Sequence, residues 1–136
     1  MYWLVKSDPE VYGWAELLKD KTTSWDGVRN YAARNHMKTM REGDEILFYH
    51  SGKESSVVAL AKVSKEFYVD PTGDDDTWVS VELKASKILK NSVPLAKIKA
   101  DPRLKNMMLV KIGRLSVAPV SSEEFEIIVE MANGKP

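Results

Sequence analysis

Gly43-Asp44-Glu45-Ile46-Leu47-Phe48-Tyr49-His50 decides the fold class. Gly43-Asp44 turns the chain, and the six residues that follow are rich in the β-branched and aromatic side chains that strands favour. Period-two alternation puts Ile46, Phe48 and His50 on one face and Leu47 and Tyr49 on the other. Downstream, Ser51-Gly52-Lys53 reads as a turn, Val57 to Val63 as the next strand and Phe67 to Val69 as a further short one. Asp70 to Asp76 is a loop, and Trp78-Val79-Ser80-Val81-Glu82-Leu83 alternates as a strand with one wet face should. Upstream, Tyr2 to Lys6 reads as a buried strand. Ser7-Asp8-Pro9-Glu10 looks like a helix start, with a cap oxygen, an early proline and a glutamate three after Ser7. That helix carries Trp14, Leu17 and Leu18 and ends near Lys19. A second is expected from about Arg29 to Met40, with Ala32, Ala33, His36, Met37 and Met40 on one face. Pro94 to Ala100 and Arg103 to Met107 suggest short helical segments, and Leu115 to Val120 an extended one. Ser121-Ser122-Glu123-Glu124 is a capping box for a last helix, with Phe125, Ile128, Val129 and Ala132 inward and Gly134 at its C-cap. Strands in the middle and helices at either end make an α+β domain with a small curved or closed sheet.

The chain has 136 residues and contains no cysteine. Disulfides, thiol nucleophiles and cysteine-ligated metals are thereby excluded. His36 and His50 are the only two histidines, so a three-histidine metal centre is impossible. No cofactor or metal is expected. No apolar stretch approaches the ~20 residues of a membrane span. Met1-Tyr2-Trp3-Leu4-Val5-Lys6 lacks the regions of a signal peptide. The expectation is a cytoplasmic protein in a bacterium or a nuclear one in a eukaryote, and a monomeric single domain over residues 1–136.

Twenty basic side chains balance twenty acidic ones, but unevenly. Residues 1–83 carry a net −5, residues 84–114 a net +8 and residues 115–136 a net −3. Lys84, Lys87, Lys90, Lys97 and Lys99 lead the basic block. Such a block is a footprint for phosphates, whose neutralisation releases counterions; a solvated lysine-rich face is the commoner meaning of a charge run taken alone.

Trp3, Trp25, Tyr49 and Trp78 each sit beside hydrogen-bonding residues. Rings flanked in that way can sandwich a planar base, although any one of them is more often a core or rim residue. Catalytic patterns are poorly supported. There is no Gly-x-Ser-x-Gly elbow, no His-Glu-x-x-His and no glycine-rich phosphate loop. Asp74-Asp75-Asp76 in a surface loop usually stays solvated. His50 is balanced between a satisfied core histidine and a pocket role.

Several ordered segments resemble the EVE domain. Tyr2-Trp3-Leu4-Val5-Lys6-Ser7-Asp8-Pro9 is similar to that family's N-terminal signature, where glutamate commonly precedes the proline. Trp25-Asp26-Gly27-Val28-Arg29-Asn30-Tyr31-Ala32-Ala33-Arg34-Asn35 resembles its central motif, with Ala32 where glutamine is frequent. Gly43-Asp44 with Phe48-Tyr49-His50-Ser51, then Tyr68-Val69-Asp70-Pro71-Thr72, then Arg114 to Val120 follow in order; the last usually has glutamine at the place of Ala118. The resemblance spans nearly the whole chain.

It implies a PUA-like fold, a small curved or closed β-barrel with flanking helices, related to the YTH readers of methylated adenine. It also implies a pocket for a flipped, modified base, chiefly methylated or hydroxymethylated cytosine in DNA, and no chemistry. Trp25 is carried over as the stacking wall. Lys6 and Ser7 fall at the end of the first strand, where related readers contact base edges, and Asp8 beside them is counted with the ligand-binding residues. Asn30 and Arg34 begin the helix after Trp25, and Tyr49, His50 and Ser51 end the facing strand. Lys84, Lys87, Lys90, Lys97 and Lys99 would contact phosphates. DNA is favoured over RNA as partner. The alternatives are a hydrolase acting on modified nucleosides or RNA, using Lys6, Asp8 and His50, and a binder of modified RNA bases.

Overall fold

The computed structural model describes residues 1–53 and 55–134. Six strands form one mixed sheet: β1 (Tyr2–Ser7), β2 (Thr22–Trp25), β3 (Glu45–His50), β4 (Ser56–Val69), β5 (Val79–Pro94) and β6 (Val117–Val120). Their order is β2-β5-β4-β3-β1-β6. β1 and β3 pair in parallel, and the other neighbours are antiparallel. Helices α1 (Trp14–Asp20), α2 (Tyr31–Met37), α3 (Leu95–Ala100), α4 (Met108–Lys111) and α5 (Ser122–Ala132) flank the sheet. A 3-10 turn, Pro102–Leu104, links α3 to α4.

The alternation in β3 sorts the core as the sequence requires. Ile46 and Phe48 join one apolar cluster with Trp3, Val5, Trp14 and Met37. Leu47 and Tyr49 join a second with Leu4, Leu60, Phe125 and Ile128. Both faces are therefore covered, α1 and α2 lying on the first and α3 to α5 on the second. Ser121 opens α5 by accepting the Glu124 amide while the Glu124 carboxylate accepts the Ser121 amide. Gly134, at φ +81°, donates its amide to the Met131 carbonyl and ends that helix, a left-handed position that suits glycine.

The sheet is strongly curled but not closed. In a flat sheet, β2 and β3 would lie roughly 14 Å apart across the two intervening strands. Yet the Trp25 ring on β2 and the Phe48 ring on β3 have centroids 5.7 Å apart. Among the described residues no ladder joins β2 to β6, so the sheet keeps two edges: of the curved and closed forms expected, it takes the curved one.

Other expectations need correcting. Ser7 does not cap a helix. It is paired with His50 in the β1–β3 ladder, and its hydroxyl donates to the Tyr12 carbonyl. Asp8 to Tyr12 form turns, and α1 starts only at Trp14, with the Gly13 amide bonded to the Glu16 carboxylate at 2.7 Å. The second helix is shorter at both ends: Arg29 is drawn away to Asp70 at its start, and past Met37 the Thr39 and Met40 amides turn back to the His36 and Met37 carbonyls. The strands expected at residues 57–63 and 67–69 are one bulged strand, β4. The Trp78–Leu83 strand continues to Pro94 as β5, and Ser80 on its supposed wet face is fully buried because β5 runs between β2 and β4. Thr22–Trp25 is an edge strand with no strand pattern of its own in the sequence. It is short and three of its four residues are polar, so only its pairing with β5 makes it a strand.

Candidate functional site

A cavity of about 630 Å³ opens in the seam left between the two ends of the curled sheet. Thr23, Ser24 and Trp25 contribute the β2 edge, and Lys6 and Ser7 the end of β1. Asp8, Val11 and Tyr12 come from the turns before α1, and Ser116 from just before β6. Residues 26–29 form the last wall. This volume lies within the range of small-molecule sites, about 300–1,000 Å³.

Trp25 is half-buried. Phe48 and Tyr12 meet its ring at 77° and 78°. Both contacts are edge-to-face, so no described ring stacks parallel on the indole. Lys6 extends from β1 along the Tyr49 ring, its ammonium 5.6 Å from the centroid, and donates to the Gly113 carbonyl. Burial lowers its pKa below the usual lysine value. One bond occupies one of its three donors. Asp26 lines the cavity, and its carboxylate takes no hydrogen bond among the described residues.

The loop that follows Trp25 is held from below. Asp70 is 1% exposed. One of its oxygens accepts the Gly27 amide at 2.8 Å and the Arg29 guanidinium at 3.0 Å. The other accepts the amide and hydroxyl of Thr72, each at 2.7 Å. Burial alone would raise this carboxyl, but the four donors more than offset it and hold its pKa at about 2. Asp70 thus joins the Trp25 loop to the loop before β5. Gly27 turns at φ +76° in that loop, where glycine carries no steric penalty.

Of the residues singled out from sequence, Lys6, Ser7, Asp8 and Trp25 come together around the cavity. The others do not line it. Asn30 caps α2 by accepting the Ala33 amide at 2.9 Å. Arg34 bonds Asn35 and the Thr77 carbonyl. Tyr49 is 3% exposed and belongs to the apolar cluster on the opposite face. His50 accepts the Trp14 amide at Nε2, 3.0 Å away, which serves the start of α1 and requires a neutral ring. Burial lowers its pKa, with Glu16 opposing. Ser51 donates to the Ser7 carbonyl from its amide. Lys6, Asp8 and His50 are each bound to different partners and form no mutual hydrogen bond, and no described cluster of three His, Asp or Glu side chains could hold a metal ion.

The five lysines are exposed and stand outside the cavity. Lys84 faces Thr22 across the β2–β5 ladder, three positions from the Trp25–Val81 pair and so roughly 10 Å along the strand. Lys97 and Lys99 are on α3, on the other side of the sheet. Arg29, Asp26 and Asp70 were missed as site residues. Arg29 and Asp26 were legible only as parts of the Trp25–Asn35 motif, and Asp70 as part of Asp70-Pro71-Thr72. Arg29 and Asp70 are brought into use by contacts across more than forty residues, and Asp26 by its place on the cavity wall.

A profile of the EVE domain matches residues 1–131. The chain belongs to the EVE domain family. Thymocyte nuclear protein 1 of Danio rerio is 36% identical over 98% of this chain and 73% of its own length. Among solved structures, this EVE domain is similar to Rpa0253 from Rhodopseudomonas palustris, with TM-score 0.93 and 42% identity over 99% of this chain and 94% of the other. It is also similar to human THYN1 in complex with 5-methylcytosine-containing DNA, with TM-score 0.91 and 34% identity over 99% of both chains. An ASCH protein from Zymomonas mobilis, TM-score 0.60 at 11% identity, shares the fold alone. No described helix of this EVE domain is long and apolar enough to cross a membrane.

Proposed function

We propose that this chain binds DNA at a modified cytosine, taking a flipped 5-methylcytosine into the Trp25 cavity, and carries out no chemistry. The observation that carries the reading is the similarity to the human protein bound to 5-methylcytosine-containing DNA, which extends over 99% of both chains. The cavity supports it chemically. Trp25 offers a ring with no stacked neighbour, Lys6 has donors to spare for a ring carbonyl, and Asp26 is an unpaired acceptor for the exocyclic amine that marks cytosine.

Extruding a base costs a few kcal/mol. Stacking on Trp25 returns about 1–3 kcal/mol, and the edge hydrogen bonds must supply the rest. Burying a methyl adds only ~0.8 kcal/mol, about fourfold in affinity, so preference for methylated over plain cytosine is modest. Discrimination against thymine is larger, because thymine presents an acceptor where Asp26 needs a donor. The exposed lysines add sequence-independent, salt-sensitive affinity, with Lys84 placed to matter more than Lys97 or Lys99.

The test is a titration of short DNA and RNA strands, single and double, carrying one cytosine, 5-methylcytosine, 5-hydroxymethylcytosine or thymine at fixed salt. Methylated DNA should bind about fourfold tighter than plain DNA. Trp25→Ala should weaken it about tenfold with a change in Tm of only a few degrees, and Asp26→Asn should narrow the gap between cytosine and thymine. Equal binding of all strands by the native protein, or an unaltered Trp25→Ala, would overturn the assignment.

A further inference from the structure

Tyr31 is the most exposed aromatic ring among the described residues, at 61%. It is also far from isolated. Its ring lies 5.0 Å from that of Trp78, tilted by 38°. The Arg34 guanidinium is 5.1 Å from the Tyr31 centroid, and that of Arg29 is 5.6 Å from the Trp78 centroid. Four planar groups are thus gathered at one surface. Hydrogen bonds fix both arginines: Arg29 to Asp70 and Thr72, Arg34 to Asn35 and the Thr77 carbonyl. The Tyr31 hydroxyl makes no hydrogen bond among the described residues, so no internal polar contact explains why the ring stays in water.

Position gives this group its meaning. Arg29 both lines the cavity and lies against Trp78, and Tyr31 follows directly on the loop that forms the cavity wall. Asp70 neutralises Arg29, whereas the acceptors of Arg34 are both uncharged, so Arg34 keeps its positive charge at the surface. Flat rings beside a fixed cation suit a nucleobase, since every base has a π-face and stacking tolerates any sequence. The acidic run Asp74-Asp75-Asp76 just before Trp78 disfavours a phosphate over the same loop. Stacking, and not charge, is therefore the main contact.

The geometry points to a second nucleotide subsite: Tyr31, backed by Trp78 and Arg34, stacks the unpaired base next to the one in the cavity. This rests on the cavity reading above. It adds that recognition extends to a neighbouring nucleotide whatever its sequence.

The test uses two single-stranded DNAs, each with one central 5-methylcytosine. One has ordinary flanking bases, and the other has abasic sites on both sides. Dissociation constants are measured by fluorescence anisotropy for the native protein, Tyr31→Ala and Tyr31→Phe at two salt concentrations, with Tm as a folding control. The native protein should bind the strand with flanking bases about tenfold tighter. Tyr31→Ala should remove that advantage at both salt concentrations without changing affinity for the abasic strand, and Tyr31→Phe should keep it. Native protein that binds both strands equally, or a Tyr31→Ala loss shared by both strands, overturns the subsite and leaves the cavity reading standing. Native protein that binds neither strand overturns the subsite, and overturns the cavity reading too if duplex DNA carrying 5-methylcytosine is not bound either.

Discussion

The two faces of the sheet are built from the same strands and yet differ in kind. On one, α3, α4 and α5 cover Leu4, Leu47, Val93 and Val120 with aliphatic side chains and the tilted pair Tyr2–Phe125, whose centroids are 4.4 Å apart. On the other, Trp3, Trp14 and Phe48 pack among polar groups. Asp44 accepts the Trp3 indole, the Arg41 amide and the N-terminal ammonium. His50 accepts the Trp14 amide, and the Trp14 indole nitrogen is buried without a partner among the described residues. Trp25 and Tyr12 are left half-covered at its margin. The first face is an apolar layer covered by helices. The second tolerates polar groups and incomplete packing where the cavity opens, as functional regions do.

That contrast can be broken by substitution. The largest effect is expected on the plain face. Phe125→Ala, at a ring 7% exposed, should cost about 3–5 kcal/mol in urea unfolding. It should leave DNA affinity unchanged wherever the protein remains folded. A loss of affinity in the folded variant would mean that the two faces are not independent.

Asp70→Asn tests the other face. It removes the charge that holds Arg29 and weakens the anchor of the Gly27 turn, so a loss of about 2 kcal/mol is expected. DNA affinity should fall as well. The acid limb of stability reports on the same group. Because its folded pKa of about 2 lies below the ordinary carboxyl value of 3.8, its contribution is complete above pH 4 and disappears as pH falls towards 2. The native protein should show this loss in Tm, and Asp70→Asn should show less of it.

The smallest effects compare two helix starts. Ser121→Ala removes the cap of α5 and should cost about 1 kcal/mol, equally at pH 5 and pH 7. The start of α1 depends instead on neutral His50. With its pKa lowered by burial, that contribution is complete above about pH 6.5 and is lost as pH falls through the depressed folded value. The protection factor of the Trp14 amide, its exchange relative to the intrinsic rate at each pH, should therefore fall on acidification while that of Glu124 is kept. Equal behaviour of the two amides would show that His50 is not needed at the start of α1.

Legibility from sequence followed contact range. The faces of β3, the capping box of α5 and its terminal Gly134 were readable, because each depends on residues within four positions. Ser7-Asp8-Pro9-Glu10 carried the marks of a helix start, but pairing of Ser7 with His50 overrode them. The cavity was half readable. Lys6, Ser7, Asp8 and Trp25 could be named from the motifs that contain them, while Asn30, Tyr49 and His50 in the same motifs turned out to serve a cap, a core and a helix start.

By itself the sequence determined the α+β class, the division of side chains between two faces, and the absence of cysteine chemistry, since alternation, capping and composition are local properties. Only the tertiary structure decided where the sheet stops curling, and so that Thr23–Trp25 and Lys6–Asp8 face each other across an open seam. It also decided that Asp70 anchors the loop 26–29 and that Tyr31 remains in water beside Trp78. Those outcomes depend on strands and loops meeting across forty or more residues, and the balance of their pairing energies is written in no single stretch of the chain.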